Sequence, residues 1–459
     1  MKKNIFNSLL AVTLCGMIVL TGCGNPKSEE NTTVQDAEQN TESDDAGEET
    51  GRTGKGITIR MLTRASGSDS SVILWDKCKK EFQEKYPDIT LQDESINDGT
   101  AFDNQFKADI ASGNVADVIE WPGLSVMKPY AESGVFLDMT EVINNDEDIK
   151  NNVDSSLIDM MNLSGVGVEG IYALPKTISM EVFYYNKDLF KKAGIEKLPE
   201  TWDEFYEVCE KLEQINVIPW SLGTKNPWRA THLLNAIIYR LSGASKGTQL
   251  GSGEAKWTDE DIVEAFAFIQ NLAERGIFGD DYQGIDYETE KQRFMSGETA
   301  ITLDGNWRIA ELKDMEESVG TFRVPCFEGK EEFARHDVAY PTQFELGGHL
   351  KDDSEKLSYV SEFLFLYVSK ELQEMALYET SQIPVRTDIE IDSSGISPIL
   401  AEILEYKNAD NVVFGSDIWS YDTNASAENF LGDAMTGALN GMTAEEAAKQ
   451  MQDSLDAAR

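Results

Sequence analysis

Four stretches set aromatic rings and charged side chains where strands are expected to end. Thr63, Arg64 and Ser66 follow the apolar run 57–62, and Glu120 with Trp121 follows the run 115–119. Further on, Trp228 comes after a Gly-Thr-Lys-Asn-Pro loop, and Asp304-Gly305-Asn306 leads into Trp307. A flat ring can lie against the C–H face of a sugar, while a carboxylate or guanidinium makes two directed, charge-assisted bonds to neighbouring hydroxyls. In open α/β sheets, ligands bind beyond the carboxyl ends of the strands. The chemistry suggested is therefore non-covalent capture of a polyhydroxylated solute. A tryptophan at a strand end is also a common core residue, and Arg64, Glu120 and Asp304 also suit solvated charges or local caps. Tyr184, within a strand, and Trp202, on an apolar helix face, read as core.

Other chemistries find little support. His232, His336 and His349 have no zinc or catalytic spacing. Of the five cysteines, Cys78, Cys209 and Cys326 are far apart with no CxxC pair, and Cys78 and Cys209 fall on expected helix faces, so buried free thiols are expected. No metal site and no cofactor is expected. The 82 acidic against 40 basic residues leave a formal charge of −42, which argues against nucleic acid or anionic lipid as a partner. A chain of 459 residues is long enough for two or three domains with sizeable cores.

The elements that must hold these residues follow from periodicity. Strands are expected at 57–62, 89–91 and 115–119, separated by a helix over 72–86, with Trp75, Cys78, Phe82 and Tyr86 on one face, and a helix bearing Phe102, Phe106 and Ile110 that ends at Gly113. This βαβαβ order implies a parallel sheet with covering helices. Val182 to Tyr185 reads as a short buried strand, Asn186 as the cap of a helix stopped by Gly194, and Thr201 with Glu204 as a capping box. Thr258 is expected to cap a helix with Ile262, Phe266, Ile269 and Leu272 on one face, and Thr443 with Glu446 to open the last helix. Residues 24–54 hold almost no large apolar side chains and read as a disordered acidic tether.

The segment Tyr172-Ala173-Leu174-Pro175, Tyr184-Tyr185-Asn186-Lys187-Asp188-Leu189-Phe190 and Pro199-Glu200-Thr201-Trp202-Asp203-Glu204-Phe205 resembles a signature of the extracellular solute-binding proteins that feed ABC importers, in particular the sugar-binding group that includes maltodextrin-binding proteins. Gly297-Glu298-Thr299-Ala300-Ile301 running to Gly305-Asn306-Trp307 is a second match, at a position where that family stacks sugar. Glu345-Leu346-Gly347-Gly348-His349 and Ile383-Pro384-Val385-Arg386 resemble its later crossings between lobes, adding Glu345 to the candidate ligand residues. The resemblance spans roughly 57–458. It implies a two-lobed, type II periplasmic-binding-protein-like α/β fold, each lobe a central, mainly parallel sheet flanked by helices, with hinge crossings between lobes. Lobe 1 would comprise 55–175 and 330–383, and lobe 2 would comprise 176–325 and 386–459.

The same resemblance implies a monomeric binding protein, not an enzyme. It would capture a carbohydrate, an oligosaccharide on this resemblance, by hinge closure and pass it to the transmembrane subunits of an ABC permease. The alternatives are the same fold binding a polyamine, a glycerol phosphate or a peptide, and a surface glycosidase using two carboxylates. Lys2 and Lys3, an apolar run over 5–20 and Leu20-Thr21-Gly22-Cys23 resemble a bacterial lipobox. On that resemblance, 1–22 is a signal peptide, Cys23 is lipidated, and the protein faces outward from the cell membrane.

Overall fold

A computed structural model of the chain describes residues 54–67, 71–121 and 123–458; the signal-like segment, Cys23 and nearly all of the tether lie outside the described residues. Three parallel strands open the fold: β1 (Thr58–Leu62), β2 (Thr90–Asp93) and β3 (Val118–Ile119), with β1 between the other two. The helices Val72–Lys85 and Gly99–Ser112 cover them, burying Trp75, Cys78, Phe82, Phe102 and Phe106. Gly113 ends the second of these helices in the left-handed region, at φ +70°, where it donates its N–H to the carbonyls of Asp109 and Ile110.

The expected strand at 182–185 is the far end of a much longer one, β4 (Leu174–Asn186). Its 13 residues are almost all buried, and it runs from one core into another. The next strands are β5 (Ile218–Trp220), β6 (Thr299–Gly305), β7 (Val319–Phe322) and β8 (His336–Leu346). The order along the sheet is β2-β1-β3-β8-β4-β6-β5, with β7 also paired to β4. β5 and β6 are parallel, whereas β4 is antiparallel to β6, β7 and β8, and β8 is antiparallel to β3. The antiparallel ladders thus belong to the two long strands that pass between lobes. A two-residue strand, Ile383–Pro384, adds a further pairing to β4 at Thr177 and Ile178.

Apolar burial separates into cores. One gathers residues from 59 to 174 and from 344 to 385, another from 183 to 338 and from 418 to 455. A third, smaller cluster packs Met180, Val182 and Tyr184 against Ile309, Leu312, Ile399 and Ile403. Leu174 therefore sits in the first core and Phe183 in the second, which makes β4 a shared strand between lobes.

The helix starts follow their caps. Asn186 accepts from the N–H of Leu189, and Thr443 with Glu446 forms a reciprocal box at 2.9 and 3.2 Å. At Thr201 the box is half made: Thr201 accepts from Glu204 N at 3.3 Å, but the Glu204 carboxylate turns to Glu200 N and Lys197. The helix expected to start at Thr258 begins one residue later, Glu260–Glu274 with Asp259 at its N-cap. Cys78, Cys209 and Cys326 are buried free thiols, and Trp202 and Tyr184 are core.

Candidate functional site

β6 delivers Trp307. All seven of its residues are buried, and its last two pair with Glu181 and Val182 of β4. Asn306 then pins the turn, accepting from Met180 N at 2.8 Å and donating to Ile178 O at 3.3 Å. Glycine at 305 leaves room for the half-buried Trp307 indole, which folds back over it. A Cβ there would lie 2.0 Å from Cζ3 and 2.2 Å from Cε3 of the ring. Trp307 Nε1 donates to Tyr287 Oη at 3.3 Å, and Tyr287 Oη donates to Asp304 Oδ2 at 2.9 Å.

Beneath these rings lies a buried ion network. Arg229 grips Glu290 with two bonds, Nε to Oε2 at 3.0 Å and Nη2 to Oε1 at 2.6 Å. Glu290 also accepts from Gly223 N and Thr302 Oγ1. Arg308 donates to Asp304 at 3.1 Å, and Arg229 stands 3.7 Å from the other Asp304 oxygen. All four side chains are at most 2 % exposed. The Arg229 guanidinium lies over the rings of Trp228 (4.8 Å) and Tyr287 (5.1 Å), so the network sets the floor on which both aromatics rest.

On this floor three tryptophans converge on one imidazole. The His232 ring is 5.1 Å from Trp228, 5.2 Å from Trp419 and 6.4 Å from Trp307, each edge-on. His232 Nδ1 bonds to Glu181 Oε1, and with Asp417 the three residues bring one ligand atom each within 4.8 Å of the others. These three are therefore also the residues that could hold a divalent cation. Burial alone would pull the imidazole down, but the Glu181 and Asp417 carboxylates outweigh it and push His232 up to about 9. Burial, reinforced by Glu181 and Glu428 and only partly offset by His232, pushes Asp417 up to about 8. Glu428 is raised as well, by burial first, against the pull of His232 from its own lobe; across the cleft Asp103 raises it further and Arg64 opposes. The turns Ser125–Met127 and Ile418–Tyr421 also abut, so the two lobes meet around this cluster.

Of the eight expected ligand residues, the structure brings Trp228, Trp307 and Arg64 to this place. Arg64 spends Nε and Nη2 on the carbonyl of Asn97, at 3.1 and 2.5 Å, and lies over Phe102 at 5.5 Å. Ser66 is half-buried beside it, its N–H closing a turn on Arg64 O.

The other four have work elsewhere. Glu120 is paired with Lys176 at 2.7 Å and accepts from Arg64 N at 3.0 Å. Glu345 is fully buried, accepts from Trp121 N at 2.7 Å, and is held well above the usual carboxylate range by burial. Asp304 is 1 % exposed, with its oxygens taken by Tyr287, Arg308 and Gly305 N. Trp121 is 5 % exposed and packs between Phe106 and Tyr130 at 4.7 and 5.4 Å. All four stand at strand ends as expected, and in this structure their side chains are engaged by partners within the protein.

Glu181, His232, Asp417, Trp419 and Glu428 escaped the sequence reading. Glu181 and Asp417 are 236 positions apart in the chain, so no local spacing joins them to His232. The one available signal was Asp417 two residues before Trp419, an acid near an indole in the chain, akin to the adjacent Glu120-Trp121.

The comparisons follow the same line. A multiple sugar-binding protein of Streptococcus mutans is 25% identical over 278 residues, 59% of this chain and 62% of that one. An sn-glycerol-3-phosphate-binding periplasmic protein of Brucella abortus is 30% identical over 168 residues, 34% of this chain and 36% of that one. The chain thus spans less than two thirds of the length of either relative. A solved chitin oligosaccharide binding protein superposes with a TM-score of 0.78 at 22% identity, covering 88% of this chain and 99% of that one, and so shares its two-lobed fold. A family model described as bacterial extracellular solute-binding protein matches residues 66–340, more than half of the chain. With its lobes, its shared strands and that match, the chain belongs to the bacterial extracellular solute-binding protein family.

Proposed function

We propose that the protein captures a carbohydrate between its lobes and delivers it to the transmembrane subunits of an ABC permease. The observation that carries this reading is the convergence of Trp228, Trp307 and Trp419 on the polar cluster His232–Glu181–Asp417, facing Arg64 and Asp103 of the other lobe. Aromatic faces beside carboxylate acceptors match the alternating C–H faces and hydroxyls of a sugar. Trp228, Trp307, Arg64 and Ser66 are the proposed contacts from the first set, with Glu181, Asp417 and Glu428 added. Contacts made to both lobes at once stabilise the closed form, and that form is what a permease would read. The reaction is binding, with no covalent step, by a monomer with lobes at the boundaries given above. A glycerol phosphate suits this place less, because the cluster is rich in carboxylates and its arginines are already engaged.

Thermal unfolding with and without candidate solutes tests the reading, since a ligand that binds only the folded state raises the midpoint by mass action. Saturating a site at a hundredfold excess over Kd is worth about 2.7 kcal/mol. A midpoint raised by one glycan series, with the glycan recovered intact by chromatography, is the expected result. A rise only with glycerol phosphate or a peptide would sink the sugar assignment, and cleavage of the glycan would sink the binding-only assignment.

We propose further that Cys23 is the lipid anchor and 24–54 the tether that holds the body off the membrane. Two acyl chains suffice for stable anchoring where one is marginal. Cys23→Ala is expected to leave the protein unprocessed and without incorporated palmitate when cells are labelled with the fatty acid. Unchanged labelling of the variant would refute the assignment.

A further inference from the structure

The charge at the meeting of the lobes does not balance. Glu181, Asp417 and Glu428 come from three different elements of one lobe, β4, the loop before the turn Ile418–Tyr421, and the helix Ala427–Leu439. Asp103 adds a fourth carboxylate from the other lobe. Against them stands His232, paired to Glu181, while Arg229 is held by Glu290 and Arg64 by Asn97. Among the described residues no lysine or arginine forms an ion pair with Asp417 or Glu428, whereas Asp103 feels Lys107 and Arg64 through space.

Two oxygens make the deficit specific. Asp417 Oδ1 and Glu181 Oε2 are buried, and neither has a hydrogen-bond partner within the described protein. Their residues are 7 % and 4 % exposed. An unsatisfied buried carboxylate oxygen is costly, and a hydroxyl would answer the hydrogen bond but not the charge. An ammonium answers both, with three donors and no acceptor. The indoles of Trp228, Trp307 and Trp419 gather round the same spot, and an indole face attracts a cation.

We propose that the captured solute carries an amine, an amino sugar with a free ammonium seated on Asp417, Glu181 and Glu428, in place of an all-hydroxyl sugar. This rests on the sugar-capture reading and sharpens its ligand class.

The test is calorimetry on the full chain in mild detergent, at pH 6.5 so that the ligand amines are charged. Three β-1,4 glucan oligomers of equal length differ only at C2: free amine, N-acetyl and hydroxyl. Spermidine serves as a cation with no sugar. The expected result is that the free-amine series binds about tenfold or more tighter than the other two, as a charge-assisted bond should. Asp417→Asn and, at the cleft edge, Glu428→Gln should each shrink the ratio between the amine and hydroxyl series. Equal binding of the three series, or a preference for a neutral one, overturns the amine and leaves sugar capture standing. Spermidine binding with no glycan binding overturns sugar capture and keeps the cation site. Silence from every probe overturns the proposal.

Discussion

Trp307→Ala is expected to remove most solute binding while leaving the unliganded fold close to wild type. The indole is half-buried, with one side over Gly305 and its N–H on Tyr287, so it keeps a face for a ligand. Truncating an anchoring tryptophan typically costs about 2 kcal/mol or more in a binding site, roughly a 30-fold loss of affinity. Gly305→Ala should reach the same end by another route. The backbone there, φ −92°, accepts alanine, but the new methyl would stand 2.0 Å from the ring. β6 is paired to β4 and Asn306 is pinned at Met180, so the ring, not the backbone, must give way. Both variants are checked by calorimetry against the solute found in the thermal screen, alongside unfolding without solute. A variant that loses several kcal/mol of stability yet binds normally where folded would show that Trp307 is a core residue.

Much of the scaffold was legible because it is local. The βαβαβ opening, the caps at Asn186 and Thr443, and the buried thiols follow from spacing over a few residues, and the structure agrees within a residue or two except at the third strand, which keeps only Val118–Ile119 of the expected 115–119. β4 was not legible beyond its last third. Its first half, Leu-Pro-Lys-Thr-Ile-Ser, carries a proline and a lysine that argue against a buried strand. What makes it one is tertiary: β8 pairs along it, and Lys176 is neutralised by Glu120. The site shows the same limit. Strand ends located Trp307 and Arg64, but in a strand where every residue is buried, alternation no longer tells which side chain faces the cleft. Asp304, in that strand, therefore looked like a ligand, and the structure gives its oxygens to Tyr287, Arg308 and Gly305 N. His232 was set aside for want of a metal-like spacing, and its partners come from 51 residues before it in β4 and 185 after it in the loop at Asp417.

The supports should carry the largest stability effect. Glu290→Gln is expected to destabilise the protein by about 3–5 kcal/mol, the usual cost of stranding one member of a buried ion pair. Arg229 would then keep the Leu303 carbonyl and, as its one remaining counter-charge, Asp304 at 3.7 Å, which already serves Arg308 and Tyr287. The amide could still accept from Gly223 N, so the loop ahead of Pro227 would keep a tie while the charge lost its counterpart. Replacing both partners by apolar residues of similar size, Arg229→Met with Glu290→Leu, should recover a good part of the loss, because a desolvated pair contributes little net stability over a packed one. Recovery should not extend to binding. The guanidinium lies over Trp228 and Tyr287, and Tyr287 in turn holds the Trp307 N–H. The double variant is therefore expected to be folded and weak in solute affinity. Urea unfolding of the two single variants and the double one, read with calorimetry, separates the two effects. A Glu290→Gln protein within about 0.5 kcal/mol of wild type, the range of ordinary surface changes, would mean the network is not the floor of the site. Full affinity in the double variant would mean that the aromatics hold their places without it.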